Sequence, residues 1–350
     1  MRYLAILLAV LTLLSPLGAP VNAEPVQSDA SLARLLRYPD VSATQIAFVY
    51  GGDIWVVESA GGLARRLTSS PGEELFPKFS PDGRWIAFTG QYSGTRQVYV
   101  VGVDGGAPRQ LTFYNDVGVV PPRGGVDNQV LDWSPDGKSI LFNAHRLPYS
   151  DRMARPYVVP VDGGMETPLV VPEGGNGMFS PDGTKYVYAP VDREFRTWKR
   201  YRGGRNQDIW IFDLKNVTAE PLLEGPSQDM NPCWIGDTVY VTSDREASKL
   251  HNLYAVDLAT KQPKKVTNHT DYDVLWASAG PNAVVYECGG YVHRFDTAKG
   301  KSERVPIRVA GDFPQSMPHV VNVKDNIESF DISPSGVRAV FGARGDVFTV

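Results

Sequence analysis

Residues 79–88 read FSPDGRWIAF, and the copies of this stretch decide the fold. Residues 133–142 read WSPDGKSILF and residues 179–188 read FSPDGTKYVY. A weaker copy, FDISPSGVRAVF, occupies 330–341. Degenerate copies stand at 234–241 (WIGDTVYV) and 276–286 (WASAGPNAVVY), and IAFVY at 46–50 supplies the same strand near the N-terminus. Proline fixes φ for an early turn position, aspartate can bond its own backbone, and glycine accepts positive φ. Pro81-Asp82-Gly83 therefore predicts a tight hairpin between a strand ending at Phe79 and one beginning at Arg84.

A second half-motif follows each first one. QVYVVGV at 97–103 leads to Asp104-Gly105-Gly106 and then PRQLT at 108–112. DIWVVE at 53–58 leads to Gly61-Gly62 and RRLT at 65–68. Tyr157–Val161, DIWIFDL (208–214), NLYAVDL (252–258) and YVHRFD (291–296) continue the series. Each unit is thus four short antiparallel strands. The marker aromatic of the second strand falls at Phe48, Phe88, Phe142, Tyr188, Tyr240, Tyr286 and Phe341, spaced by 40, 54, 46, 52, 46 and 55 residues. That period fits the blades of a β-propeller. Trp85, Ile86, Ala87 and Phe88 run apolar on both strand faces, as a blade packed between two neighbours requires. A β-sandwich of similar strands would not repeat one turn sequence.

The expected fold is all-β: a six-bladed β-propeller of four-stranded antiparallel blades over 35–310, plus the first blade of a second propeller within 311–350. GDVFTV at 345–350 resembles GDIWVV at 52–57, the third strand of a blade, so the chain reads as truncated inside that blade.

With 42% hydrophobic and 21% charged residues the chain is expected to be globular. Its net charge of −4 is spread without long runs of one sign, which excludes the concentrated basic footprint of a nucleic-acid binder. Residues 1–23 (MRYLAILLAVLTLLSPLGAPVNA) read as a secretory signal peptide followed by a linker over 24–34, so export to the periplasm or beyond is expected, with no membrane association after cleavage. The apolar run from Leu4 to Leu14 is shorter than the ~20 residues of a spanning helix. Cys233 and Cys288 read as two buried thiols in strands, with a disulfide as the alternative.

Catalytic chemistry is not legible in these residues. There is no GxSxG elbow, and the serines and aspartates of the SPDG stretches read as turn formers. The five histidines are scattered without an HxH or HExxH pair, so neither a metal nor another cofactor is expected. Two basic spots remain. One is VVPPRGGVDN at 119–128, a long insertion holding Arg123. The other is TWKRYRGG at 197–204, with Lys199, Arg200 and Arg202. It sits in a connection too long for a plain hairpin. Its cations could line a propeller mouth and attract peptide carboxylates. Alternatively Trp198 and Tyr201 wedge the loop against neighbouring blades.

The SPDG and DGG–xxLT pattern resembles TolB-like propeller repeats. LLRYPDV (35–41), WKRYRGG followed by DIWI (198–211) and TNHTDY (267–272) resemble the N-terminal six-bladed propeller of the tricorn protease family, over about 35–350. The resemblance implies a full-length serine endopeptidase in which a second propeller, a PDZ domain and a peptidase core follow. The first propeller would scaffold the enzyme and gate peptide access, within a homo-oligomer. The family's catalytic residues match no position here, so these 350 residues are expected to be inactive alone. Family members carry adjacent arginines near the position of Arg123 that anchor a peptide C-terminal carboxylate; here Arg123 is followed by Gly124, so the match is partial. The signal peptide departs from the family's cytosolic archetype, whose precedent makes a cytoplasmic location the alternative. The alternative function is a TolB-like periplasmic protein-binding propeller without catalysis.

Overall fold

The computed structural model describes residues 32–114, 127–146, 153–191, 201–313, 318 and 320–350. The signal peptide, most of the linker, Arg123, Trp198, Lys199 and Arg200 lie outside these residues. The chain divides into two compact units, one ending at Val309 and the other spanning Ala310–Val350.

The first unit consists of six blades of four antiparallel strands, one per sequence repeat, with a fifth strand added to the first blade's sheet. The first blade contains β1 (Arg37–Val41), β2 (Gln45–Tyr50), β3 (Asp53–Glu58) and β4 (Gly62–Arg66). The second contains β5 (Glu74–Phe79), β6 (Trp85–Gly90), β7 (Gln97–Gly102) and β8 (Arg109–Gln110). The third contains β9 (Gln129–Trp133), β10 (Ser139–Ala144), β11 (Arg155–Pro160) and β12 (Thr167–Pro168). The fourth contains β13 (Gly177–Phe179), β14 (Lys185–Tyr188), β15 (Ile209–Asp213) and β16 (Thr218–Leu223). The fifth contains β17 (Asp229–Ile235), β18 (Thr238–Ser243), β19 (Asn252–Asp257) and β20 (Pro263–Lys265). The sixth contains β21 (Leu275–Ala279), β22 (Ala283–Cys288), β23 (Tyr291–Asp296) and β24 (Lys301–Arg304). First strands of successive blades touch in order, and β1 touches β21, so the six blades form a closed ring.

Apolar clusters fill the spaces between blades. Phe79, Ile86 and Phe88 of the second blade pack on Ala47, Ile54 and Val56 of the first. Phe142 and Trp133 pack on Ala87 and Val98, and the pattern continues to Tyr286, which packs on Tyr240. The marker aromatics of all six blades are buried, which is why both faces of these strands are apolar. Each such side chain contributes about 1.5–3 kcal/mol on burial.

The repeated turn works as its chemistry dictates. Ser80 Oγ donates to Asp82 Oδ1 at 2.6 Å and accepts the Trp85 amide at 3.0 Å, while Asp82 Oδ1 accepts the Arg84 amide at 3.1 Å. The same bonds recur at Ser134–Asp136 and Ser180–Asp182. These bonds hold the Asp82 carboxyl down at about 2, led by the Ser80 hydroxyl. Gly83, Gly137 and Gly183 take positive φ, and a Cβ on Gly137 would lie 3.8 Å from Pro81 of the preceding blade. The xxLT ending is equally local. Thr68, Thr112 and Thr267 each accept a third-strand amide, from Ile54, Val98 and Leu253, at 2.9 Å. Each donates in turn to a buried polar side chain, Glu74, Gln97 or Asn252.

Closure between the sixth and first blades is polar and close. Glu287 accepts the Tyr38 amide at 2.6 Å and pairs with Arg37 at 3.1 Å. A Cβ on Gly280 would meet the Val41 carbonyl at 2.2 Å, so only glycine fits there. An additional strand, β25 (Ile307–Val309), adds in parallel to the outer edge of β4, capping an edge that would otherwise be open. The repeat did not predict this strand.

The second unit holds a three-stranded antiparallel sheet, β26 (Ile327–Ile332), β27 (Ala339–Ala343) and β28 (Asp346–Thr349). Its hairpin between β26 and β27 is the weak SPSG copy.

Candidate functional site

The first strand of each blade borders the propeller axis, and one face of each lines a cavity there. Proline recurs in these strands, as Tyr38-Pro39, Phe76-Pro77 and Asn231-Pro232. An innermost strand has a partner on one side only, so a missing amide costs little at a bulge. The register does shift at each of these places, and again at Trp276-Ala277 of β21. Tyr38, Phe76, Asn231 and Trp276 take φ of 49°, 53°, 48° and 50°. Non-glycine residues held at positive φ cost about 1–3 kcal/mol each. The kink brings these side chains to the cavity wall.

Two levels of side chains result. At the first, Tyr38, Phe76 and Trp276 of three consecutive blades form an aromatic cluster with centroid separations of 4.3, 4.8 and 5.5 Å. Asn176 and Asn231 line the same cavity from two of the other blades. The second level lies two residues further along each strand: Asp40, Lys78, Asp132, Met178, Cys233 and Ser278. These six come from six different blades at one equivalent position, directly before Val41, Phe79, Trp133, Phe179, Trp234 and Ala279. All but Asp40 line the narrow cavity, and Asp40 and Asp132 border a wider space on the side of the SPDG turns.

Charge is unevenly distributed at this level. Lys78 Nζ lies 3.6 Å from Asp40 Oδ1 and donates to Ser278 Oγ at 2.5 Å. Ser278 Oγ donates to Asp40 Oδ1 at 2.5 Å, and Asp40 Oδ2 accepts the Phe79 amide at 2.7 Å. A charged Lys78 that donates to the serine cannot take its proton, so this trio ties blades together and does not form a nucleophile. Burial pushes the Cys233 thiol up to about 12, which leaves it without thiolate character. Asp132 is pushed up to about 7 by burial, against the opposing pull of Lys78. Among the described residues, no group of three or more His, Cys, Asp and Glu side chains is arranged to hold a metal ion.

Of the basic residues singled out in the sequence, only Arg202 is described. Its Nη2 lies 2.7 Å from Asp244 Oδ2, whose side chain is fully buried. Asp244 Oδ1 accepts the Gln228 amide at 2.8 Å, and Gln228 Nε2 donates to the Tyr201 carbonyl at 2.6 Å. Arg202 is thus tied into the fifth blade and does not line the axial cavity. The other two marker stretches also have structural duties. In TNHTDY, Asn252 Oδ1 accepts the Thr267 hydroxyl at 3.0 Å and the His269 amide at 2.8 Å. In LLRYPDV, Tyr38 and Asp40 supply the bulge and the inter-blade carboxylate. The cysteines are free and buried within one core cluster. The second-level residues were missed in the sequence, although each immediately precedes the first residue of its blade's turn, as in K-FSPDG, D-WSPDG and M-FSPDG.

The model of the tricorn protease N-terminal beta propeller domain matches residues 33–301. A tricorn protease homolog of Saccharolobus solfataricus is 28% identical over 320 residues, covering 89% of this chain and 28% of the relative. A putative tricorn protease homolog of Streptomyces coelicolor is 29% identical over 340 residues, covering 89% of this chain and 26% of the relative. The chain therefore spans about a quarter of the length of these relatives. The crystal structure of the tricorn protease superposes with a TM-score of 0.73 over 90% of this chain and 30% of that one, at 23% identity, a likeness of fold. A TolB structure from Acinetobacter baumannii gives 0.55 over 75% of the chain at 17% identity. The match over 33–301, on a ring of six blades, places this chain in the tricorn protease N-terminal beta propeller family.

Proposed function

We propose that this chain is the N-terminal propeller part of a tricorn-like serine peptidase, where it scaffolds the enzyme and gates peptide access to a catalytic core outside these residues. The observation that carries this reading is the axial cavity, narrow at the level of Lys78 and Asp132 and wider at the SPDG mouth. A peptide in extended form suits such a passage, and folded protein does not. Lys199, Arg200 and Arg123 would then act by charge on peptide carboxylates approaching the propeller. An exported location follows from the N-terminal stretch under this proposal.

The test compares this chain with the protein extended by its downstream coding sequence. The extended protein should cleave a fluorogenic peptide and be blocked by a serine-directed inhibitor, while this chain alone should leave the peptide intact. Placing tryptophan at Met178 should slow cleavage of long peptides more than that of dipeptide esters. A downstream sequence without a peptidase core would reject the reading.

A further inference from the structure

The six second-level residues include three charged groups, two acids and one base. The base is committed. Lys78 is held by Asp40 at 3.6 Å and by Ser278 at 2.5 Å. This arrangement shows how the ring holds an ammonium group: a carboxylate and a hydroxyl from neighbouring blades converge on it. Asp132 occupies the equivalent place in the third blade and lines both the narrow cavity and the wider mouth. Its carboxyl is bonded by the Trp133 backbone and feels the charge of Lys78. No cation pairs with it among the described residues.

An acid in this position favours one class of ligand. A carboxylate or phosphate entering the cavity would meet an acid and find its one lysine engaged. A cation would gain a charge-assisted hydrogen bond and offset the desolvation that now raises Asp132. Tyr38, Phe76 and Trp276 line the same cavity, and aromatic rings also attract ammonium groups.

We propose that the axial cavity contains a binding subsite for an ammonium group, with Asp132 as its counter-ion, and that it receives the free N-terminus or a lysine side chain of a peptide. This rests on the reading of the cavity as a peptide passage. It adds which chemical group of the peptide is held there.

The experiment uses the 350-residue chain and three alanine-based hexapeptides carrying a C-terminal fluorophore, read by fluorescence anisotropy. One has a free N-terminus, one is N-acetylated, and one is N-acetylated with a single lysine. The free peptide should bind about 10-fold or more tighter than its acetylated form, the range of a hydrogen bond to a charged group. If lysine restores the affinity, the subsite takes either source of ammonium; if it does not, the subsite takes the terminus alone. Asp132→Asn, whose side chain keeps the shape of aspartate, should erase the difference between free and acetylated peptides. The comparison in the unaltered chain needs no variant and so does not depend on how the variant folds. Equal binding of free and acetylated peptides would overturn the subsite and leave the passage standing. A preference that survives in folded Asp132→Asn would overturn it too. Failure of all three peptides to bind would overturn the subsite together with the passage.

Discussion

Lys78 of the second blade stands 3.6 Å from Asp40 of the first, and Ser278 of the sixth bonds to both. Three blades are thus joined by one polar cluster beside the axis, at the joint where the ring closes. Both charges are largely buried, so neither can be removed without stranding the other. Lys78→Met should lower the unfolding free energy by about 3 kcal/mol, the low end for a broken buried pair. Adding Asp40→Asn should recover a large part of that loss. Urea unfolding of the single and double variants checks this; additive losses would show that the two side chains are not coupled.

The difference between what could and could not be read from the residues follows from the range of each interaction. Ser80, Pro81, Asp82 and Gly83 make their bonds within five residues, so the turn is legible wherever it recurs. The partners of Thr68 and Thr112 lie 14 residues upstream on the third strand, still inside one blade. Asp40 and Ser278 are 238 positions apart, and nothing local in LLRYPDV or LWASA marks them as partners. Alternation along the strand does not help either, because blades bury both faces. The prolines after Tyr38, Phe76 and Asn231 were a usable signal: a proline in a strand implies a bulge or an edge, and here it is both. Strand β25 carries no turn signature and pairs in parallel with residues far upstream, which places it beyond any repeat-based reading. For the candidate site, the resemblance drew attention to a basic loop, while the cavity wall is built from residues that differ from blade to blade.

Acids in this fold shift in opposite directions and act in separate pH windows. Burial raises Glu74 from 4.5 to about 7, with the charge of Asp53 adding to the effect. Glu287 rises to about 7 for the same first reason, with Arg37 opposing. A raised folded value means that the folded state holds the proton more tightly, so the stability is present at low pH and is lost as pH rises through about 7. Asp82 behaves in reverse, and its contribution is lost only as pH falls from 3.8 towards about 2. His293, lowered to about 4 by burial, adds stability with rising pH up to 6.5. Between pH 6.5 and 8 the raised carboxyls therefore dominate. The urea midpoint should fall across that window, and Glu74→Gln should fall less. An unchanged fall in Glu74→Gln would show that its proton is not involved.

Arg202 separates the structural part of the basic loop from its proposed functional part. Its guanidinium meets a fully buried carboxylate at 2.7 Å, and the same carboxylate holds the Gln228 amide. Arg202→Gln leaves Asp244 with one of its two partners among the described residues, and the expected loss is about 1–3 kcal/mol, the range for an orphaned buried polar group. The Gln228 bond to the Tyr201 carbonyl depends on that carboxylate's position, so amide exchange should quicken around Tyr201 and Gln228 as well. Under the proposed function, Lys199→Gln with Arg200→Gln should act differently. Their effect would be on the salt dependence of peptide binding, with the unfolding midpoint unchanged. A double variant as destabilised as Arg202→Gln would assign all three cations to folding, and the loop would lose its proposed role in drawing peptides to the propeller.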